Sequence, residues 1–437
     1  MAVQELLGRV AGRVRSATAR GERVPAPIAA LDVGTEFAKA VVVGLERDAD
    51  RAFLGVVQGV GRRRQGLTHM QSGTVSDIDA VVANCAAALD EAHATAGRRA
   101  DAVVIGIAGE LVKGTTSTLA TRRDDPRAPL TEDELQRIVE RTQHAALREA
   151  EERIAWESGI ERLDVRVVHA AIVEMKIDGY TVSNPIGFTG AHLELAVFNA
   201  FAPMVHLGAL QSVAAALGLE LLGVIAEPYA VATCLDPGEL GDAGAVFIDV
   251  GGGTTDVALV RRGGIAGTKM LALGGRAFTK GLADRFALSF SRAEALKLAL
   301  ARGDAELAEP VDRSEADVLL TEDAATWRAG VELMIADLAE GELLPGRILL
   351  CGGGSDLPQI QAALTHGEWW RRLPFARQPA VRALEPTEVA GLHDPDGAVR
   401  SRQDVTPLAL AHQAIILDAT STALDRAMRA TVSAMRL

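Results

Sequence analysis

The run Val246-Phe247-Ile248-Asp249-Val250-Gly251-Gly252-Gly253-Thr254-Thr255-Asp256-Val257-Ala258-Leu259 constrains the fold more than any other stretch. Apolar, β-branched residues carry into an acid, three glycines, two hydroxyls and a second apolar run. That pattern reads as a strand, a tight turn and a returning strand. Gly251, Gly252 and Gly253 remove Cβ atoms where the backbone must bend and let its N–H groups approach a ligand closely. Aligned N–H groups make a concave anion site, and Thr254 and Thr255 add hydroxyl donors. Asp249 and Asp256 bracket the turn with carboxylates of the kind that hold hydrated Mg²⁺ beside phosphate oxygens. Taken alone, the pattern also fits an ordinary glycine-rich hairpin.

A near-copy lies upstream. Ile28–Leu31 leads into Asp32-Val33-Gly34-Thr35, and Lys39–Val43 returns as a strand. Asp32-Val33-Gly34-Thr35 aligns with Asp249-Val250-Gly251-Gly252. Two copies of one hairpin imply two related lobes, and two phosphate-gripping turns imply one nucleotide between them. The pair resembles the first and second phosphate motifs of the actin, sugar-kinase and heat-shock-chaperone ATPase superfamily.

The rest of the chain supports two lobes. Its 437 residues exceed what one compact core holds. A hydrophobic content of 48% with 24% charged residues is that of a globular protein. The net charge of −13 argues against nucleic acid as the main partner, which selects basic surfaces. Cys85, Cys234 and Cys351 are scattered, without metal spacing, and read as small core residues of a reduced, cytosolic protein. No apolar run approaches the roughly 20 residues of a membrane-spanning helix, and no secretory signal is evident.

In order, residues 1–26 form a basic amphipathic extension. Val3, Leu6, Leu7, Val10, Val14 and Ala17 share one helical face beside Arg9, Arg13, Arg15, Arg20 and Arg23. Such a helix could lie on an anionic membrane or dock on the body. A third strand over 52–60 precedes Arg62-Arg63-Arg64, read as a loop that is solvated or meets phosphate or lipid. Asp77 or Ser76 caps a helix over 77–96, and 103–108 is a buried strand. Residues 109–192 read as an inserted subdomain of mixed α and β. It contains strands over 115–121, 165–172 and 174–181, and a helix whose capping box is Thr131 and Glu134. His144 and His169 read as structural. Leu193–Phe198 resumes the parent fold, followed by a helix over 204–217 and a strand over 219–225.

Ala226-Glu227-Pro228-Tyr229-Ala230 opens a helix and resembles the superfamily's first connecting motif. Glu227 could accept a hydrogen bond from an attacking water, or be an acid favoured by the helix dipole. Gly264–Leu273 is a strand ended by Gly274-Gly275-Arg276. In the helical stretch that follows, Glu294 and Lys297 stand at i, i+3, either as a surface pair or, as the resemblance implies, as contacts to ribose and adenine. Cys351-Gly352-Gly353-Gly354-Ser355 resembles the adenosine motif. Four motifs in the superfamily's order, at Asp32, Glu227, Asp249 and Gly352, carry the resemblance.

The mixed insert after strand 103–108, with Asn184-Pro185-Ile186-Gly187 near its end, resembles FtsA-like division proteins, and PilM-like pilus proteins are the nearest rival. The resemblance implies a two-lobed α/β fold of the actin and heat-shock-chaperone (ribonuclease H-like) type. Its parts are a first lobe over 27–108 and 193–242, the insert over 109–192, a second lobe over 243–278 and 345–417 closed by a helix over 406–417, and a helical subdomain over 279–344. A tail over 418–437 carries Leu424, Met428, Val432 and Met435 on one stripe and reads as a plain terminal helix. The resemblance also implies ATP or ADP with Mg²⁺ as ligands, held by Asp32, Gly34, Thr35, Lys39, Gly251–Thr255, Gly274, Gly275, Glu294, Lys297 and Gly352–Ser355. Asp32 and Asp249 would hold the metal through water, and Glu227 with Asp249 would serve any hydrolysis, which a filament switch needs only slowly. The implied partners are further copies of the chain, an FtsZ-like tubulin homologue or other division proteins, and an anionic membrane surface, so that the protein lies on the inner face of the cell membrane. A small-molecule kinase on the same clamp would need an acceptor pocket and base, for which the insert offers no evident candidate.

Overall fold

The computed structural model describes residues 26–419, apart from 48–52, 160–162, 242, 262–263 and 305–308. The basic N-terminal segment and the tail beyond 419 lie outside the described residues. The strands are β1 (Ile28–Val33), β2 (Phe37–Arg47), β3 (Phe53–Arg64), the short pair β4 (Met70–Gln71) and β5 (Thr74–Val75), β6 (Ala102–Ile107), β7 (Lys113–Arg122), β8 (Val165–Ile177), β9 (Tyr180–Thr181), β10 (His192–Pro203), β11 (Glu220–Ala226), β12 (Ala245–Val250), β13 (Thr255–Arg261), β14 (Gly264–Leu271), β15 (Arg347–Cys351), β16 (Ala380–Ala383) and β17 (Leu392–His393). The helices are α1 (Ile78–Ala96), α2 (Glu132–Ser158), α3 (Met204–Ala216), α4 (Glu227–Ala232), α5 (Pro237–Leu240), α6 (Gly275–Phe286), α7 (Phe290–Arg302), α8 (Arg313–Ala339), α9 (Pro358–Thr365) and α10 (Val405–Ala419).

The two hairpins seed two sheets of the same design. In the first, β3, β2 and β1 run antiparallel, and β6 and β11 continue parallel to β1. In the second, β14, β13 and β12 run antiparallel, and β15 and β16 continue parallel to β12. The strands read as continuous apolar runs because both faces are covered. Along β12, Ala245 and Phe247 join the core of the first lobe, and Val246, Ile248 and Val250 join the core beneath the helical subdomain. Trp327 of α8 anchors that second core, its indole N–H donating to Thr255 Oγ1 at 2.9 Å.

The insert extends the second sheet through β14, which pairs with β7, and the order then runs β7-β10-β8-β9. Its own core lies between this sheet and α2. Several expectations change here. The strand expected over 174–181 is cut by an Asp178-Gly179 turn with both residues at positive φ, the geometry of a two-residue hairpin loop. The stretch from Leu193 belongs to β10, paired along its length with β7 and β8, so it remains in the insert's sheet. It does touch both cores: Leu193, Leu195 and Val197 face the insert, and Phe198, Ala200 and Ala202 face the first lobe. Thr131 caps α2, but Glu134 turns from the cap to a bidentate pair with Arg123 at 2.8 Å.

Two further differences bear on the cleft. Arg62, Arg63 and Arg64 are not in a loop but end β3, paired with Lys39, Ala38 and Phe37 of β2. The helix expected to close the second lobe, α10, packs instead on β1, β2, β6 and α4, with Val405, Leu408, Leu410 and Ala414 buried in the first core. A helix apolar almost all round needs a site with cover on every side, and the first lobe supplies it. The chain has already crossed back by then, since β17 pairs with β3.

Helix α1 lies close on β3 because glycines face it. A Cβ on Gly61 would stand 1.8 Å from Ala88 O, and one on Gly59 would stand 2.0 Å from Ala92 O. Both obstacles are backbone, so the helix itself must move. Gly61→Ala is expected to destabilise the fold by about 1–3 kcal/mol, read as a lower denaturation midpoint with unchanged slope.

Candidate functional site

Both hairpin turns close in the same way. Gly34 N–H donates to Phe37 O at 3.1 Å, and Gly251 N–H donates to Thr254 O at 2.9 Å. Among the described residues, Thr35, Glu36, Gly252 and Gly253 donate no backbone–backbone hydrogen bond. The turns meet across one cleft of about 600 Å³. Helix α6 starts on the second turn, its Gly275 and Arg276 N–H groups donating to Gly251 O and Gly252 O at 2.9 and 2.7 Å.

The cross-strand register separates the two copies. Asp32 faces Lys39, and the ammonium reaches Asp32 Oδ2 at 2.8 Å and Gln403 O at 2.8 Å. In the second hairpin Asp249 faces Asp256, acid opposite acid. Like charges in direct register repel. Glu227, at the first turn of α4, adds a fourth carboxylate to the same wall. Gly106 makes room for it, since a Cβ there would stand 2.6 Å from Glu227 Oε1.

Burial sets the protonation of this wall. It raises Glu227 well above the usual carboxylate range, and the charges of Asp32, Asp256 and Asp249 add to the effect. Asp256 is likewise raised well above its usual value by burial and by Asp249. Asp249 is raised by burial, against the Thr406 hydroxyl that donates to its Oδ2 and the charge of Lys39. Burial pulls the Lys39 ammonium down, but Asp32, Asp249 and Asp404 outweigh it and its pKa stands raised. One ammonium therefore answers four acids, so a cation entering the cleft would be drawn to the carboxylates and would favour their ionised forms.

The other end of the cleft is formed by the third glycine turn and by α7. Gly352 has φ of +80°, and a Cβ there would stand 2.1 Å from Asp249 Oδ1, so the position requires glycine. Lys297 donates to Gly275 O at 2.9 Å and to Thr279 Oγ1 at 2.8 Å, and pairs with Glu294 Oε2 at 2.8 Å.

Of the residues singled out from sequence, Asp32, Gly34, Thr35, Lys39, Glu227, Asp249, Gly251, Gly252, Thr254, Gly275, Glu294, Lys297, Gly352, Gly353 and Gly354 line this one cleft. Gly253, Thr255, Gly274 and Ser355 do not. A Cβ on Gly253 would press Thr35 at 2.8 Å, and one on Gly274 would press Gly251 O at 2.7 Å, so these glycines serve packing between turns. Thr255 is buried between Leu273 O and Trp327, and the Ser355 hydroxyl closes its own turn on Gly352 O at 2.7 Å. Sequence reasoning missed Glu36, Arg276, Gln403 and Thr406, and read Arg62 and Arg64 only as part of a loop that is solvated or meets phosphate or lipid; all six line the cleft. Glu36 and Arg276 each follow a quoted glycine motif by one or two residues. Arg62 and Arg64 would share a side under a period-two reading of β3. For Gln403 and Thr406 no local pattern stands out.

The donor set fits a hydrated divalent cation and phosphate. Among the described residues no three His, Cys, Asp or Glu side chains are gathered to ligate a metal directly. Mg²⁺ commonly keeps several waters and takes one or two carboxylates with phosphate oxygens, and Asp32 and Asp249 could serve it that way.

The family model for the cell division protein FtsA matches residues 246–400. The chain is 26% identical over 394 residues to the cell division protein FtsA of Pseudomonas aeruginosa, covering 84% of this chain and 85% of that protein. It is 26% identical over 409 residues to FtsA of Neisseria meningitidis, covering 90% and 91%. Among solved structures, the PilM-PilN type IV pilus biogenesis complex is similar with a TM-score of 0.59 at 18% identity, covering 89% of this chain and 98% of that one.

The buried acids give the ligand-free protein a definite pH response. An unfolded aspartate titrates near about 4, and folded Asp256 titrates well above. Between those values the folded state binds more protons. The stability this group contributes is therefore full below the unfolded value and is lost as pH rises through the folded one. Asp256→Asn is expected to raise the melting temperature of nucleotide-free protein by about 2–4 °C at neutral pH and little at pH about 4, measured by calorimetry.

Proposed function

We propose that this chain, a member of the actin-like ATPase superfamily that resembles FtsA, is a Mg²⁺-dependent ATP-binding division protein whose nucleotide state governs its self-assembly. The observation that carries the reading is the meeting of two like hairpin turns over one cleft, where Asp32, Asp249, Asp256 and Glu227 stand with Lys39. The N–H groups of Thr35 and Gly252 are the donors proposed for the phosphates, with the Thr254 hydroxyl beside them. Asp32 and Asp249 are proposed to take up the metal's waters; bound Mg²⁺ would neutralise phosphate charge and favour the ionised forms of Asp249 and Glu227. Gly352–Gly354 offer flat backbone to base and sugar, with Glu294 and Lys297 across from them. Glu227, ionised in that state, is proposed to accept a proton from water and orient it toward the terminal phosphate. Lys39 pairs with Asp32 and ties the first turn to Gln403.

Nucleotide in the cleft favours one spacing of the lobes, and that spacing selects the shape that assembles. The FtsA likeness supports copies of the chain, a tubulin-like ring protein and the inner membrane surface as partners. No helix among the described residues is long and apolar enough to cross a membrane. Membrane contact is therefore proposed for the basic 1–24 segment or the 418–437 tail.

Asp249→Ala is expected to weaken Mg-ATP binding about 10- to 100-fold in calorimetric titration, and unchanged affinity would remove the site assignment. Glu227→Gln should bind nucleotide and lose phosphate release. Pelleting of full-length protein with Mg-ATP, with and without anionic liposomes, tests the assembly and membrane parts; protein that stays in the supernatant in both conditions contradicts them.

A further inference from the structure

We infer that Arg276 is a positioning residue that staples the two glycine turns together and, resting on the nucleotide reading above, sets how long a nucleoside triphosphate stays in the cleft. The residue bonds to both turns at once. Its own N–H donates to Gly252 O of the second turn at 2.7 Å. Its guanidinium crosses to the first turn, Nε to Glu36 Oε2 at 2.7 Å and Nη2 to Thr35 O at 2.7 Å. Thr35 and Glu36 flank the place where phosphate is proposed to lie, so the staple closes over the ligand from the rim.

The first turn is prepared to receive it. Arg64 donates to the other carboxylate oxygen, Glu36 Oε1, at 2.7 Å, and Gln65 N–H holds Glu36 O at 2.8 Å. The Glu36 carboxylate is thus fixed from its own lobe and offers Oε2 to the opposite one. Arg276 and Glu36 side chains are 16% and 15% exposed. At that burial a charge-assisted pair is screened far less than a surface ion pair. The turns also touch directly: a Cβ on Gly252 would stand 2.8 Å from Glu36 Cβ. Contact limits how near the turns can come, and the Arg276 bonds limit how far they can part. A ligand gripped by both turns must wait for those bonds to break before it leaves.

The test uses full-length protein and two readouts. Hydrogen exchange on nucleotide-free protein, followed over residues 33–37 and 251–254, needs no ligand. Arg276→Ala and Glu36→Gln are expected to speed exchange in both turns roughly tenfold, with Arg276→Lys between them and wild type. Arg285→Ala, at the other end of the same helix and paired only with Glu315 among the described residues, should leave both turns as in wild type. Dissociation of a fluorescent ATP analogue with Mg²⁺ should quicken roughly tenfold in the same two variants. Unchanged exchange in both turns of folded Arg276→Ala and Glu36→Gln protein overturns the staple. Faster exchange with an unchanged dissociation rate overturns its control of the ligand. Wild-type protein that binds no analogue overturns the nucleotide reading and the dwell-time claim together, and hydrogen exchange still decides whether the turns are stapled.

Discussion

The site depends on an excess of buried negative charge that the duplicated hairpin builds into itself. The two copies share strand, acid and glycine turn, yet differ at one cross-strand position. Lys39 answers Asp32, and Asp256 confronts Asp249. Had the second copy kept a lysine, the wall would be close to neutral and indifferent to a cation. As built, Asp256 and Glu227 are pushed toward their protonated forms, and the fold carries a cost that a bound cation can relieve. Stability of the empty protein and affinity for a charged ligand are therefore set against each other in the same four side chains.

That opposition explains why the lobes need other means of holding together at the rim. The glycine turns touch through bare backbone, which gives closeness without strong attraction. The segment after Ser401 adds stitches at the base: Gln403 O takes Lys39, Arg402 O takes Gly352 N–H, and Thr406 reaches Asp249. This short segment thus bonds to both lobes. Arg276 makes the corresponding bonds at the opposite edge. Closure at the rim rests on a few directional, half-buried bonds, above an apolar base where Phe247, Ala258 and Leu349 share the first lobe's core.

The architecture was largely legible because the hairpin is written twice in local patterns: an apolar run, an acid, glycines, a hydroxyl. Repetition of Asp32-Val33-Gly34-Thr35 at Asp249 predicts two like sheets, and the strand orders agree. Local signals failed where tertiary contact decides. The apolar Thr406–Leu417 run says that it is buried but not in which lobe, and β17 had already carried the chain back to β3. Thr255 and Ser355 carry the same hydroxyl as Thr254, yet only Thr254 lines the cleft; Trp327, far along the chain, claims Thr255. Glu36 and Arg276 were invisible as a pair because 240 residues separate them, and no periodicity links positions on different sheets.

The proposed function turns on two glycine turns gripping one triphosphate. A crystal structure of the full-length protein with Mg²⁺ and a non-hydrolysable ATP analogue tests it most directly. Triphosphate density is expected between Gly34–Glu36 and Gly251–Thr254, with metal waters on Asp32 and Asp249 and the base against Gly352–Gly354. Nucleotide bound elsewhere, or a cleft that stays free of it at saturating analogue, would contradict the account.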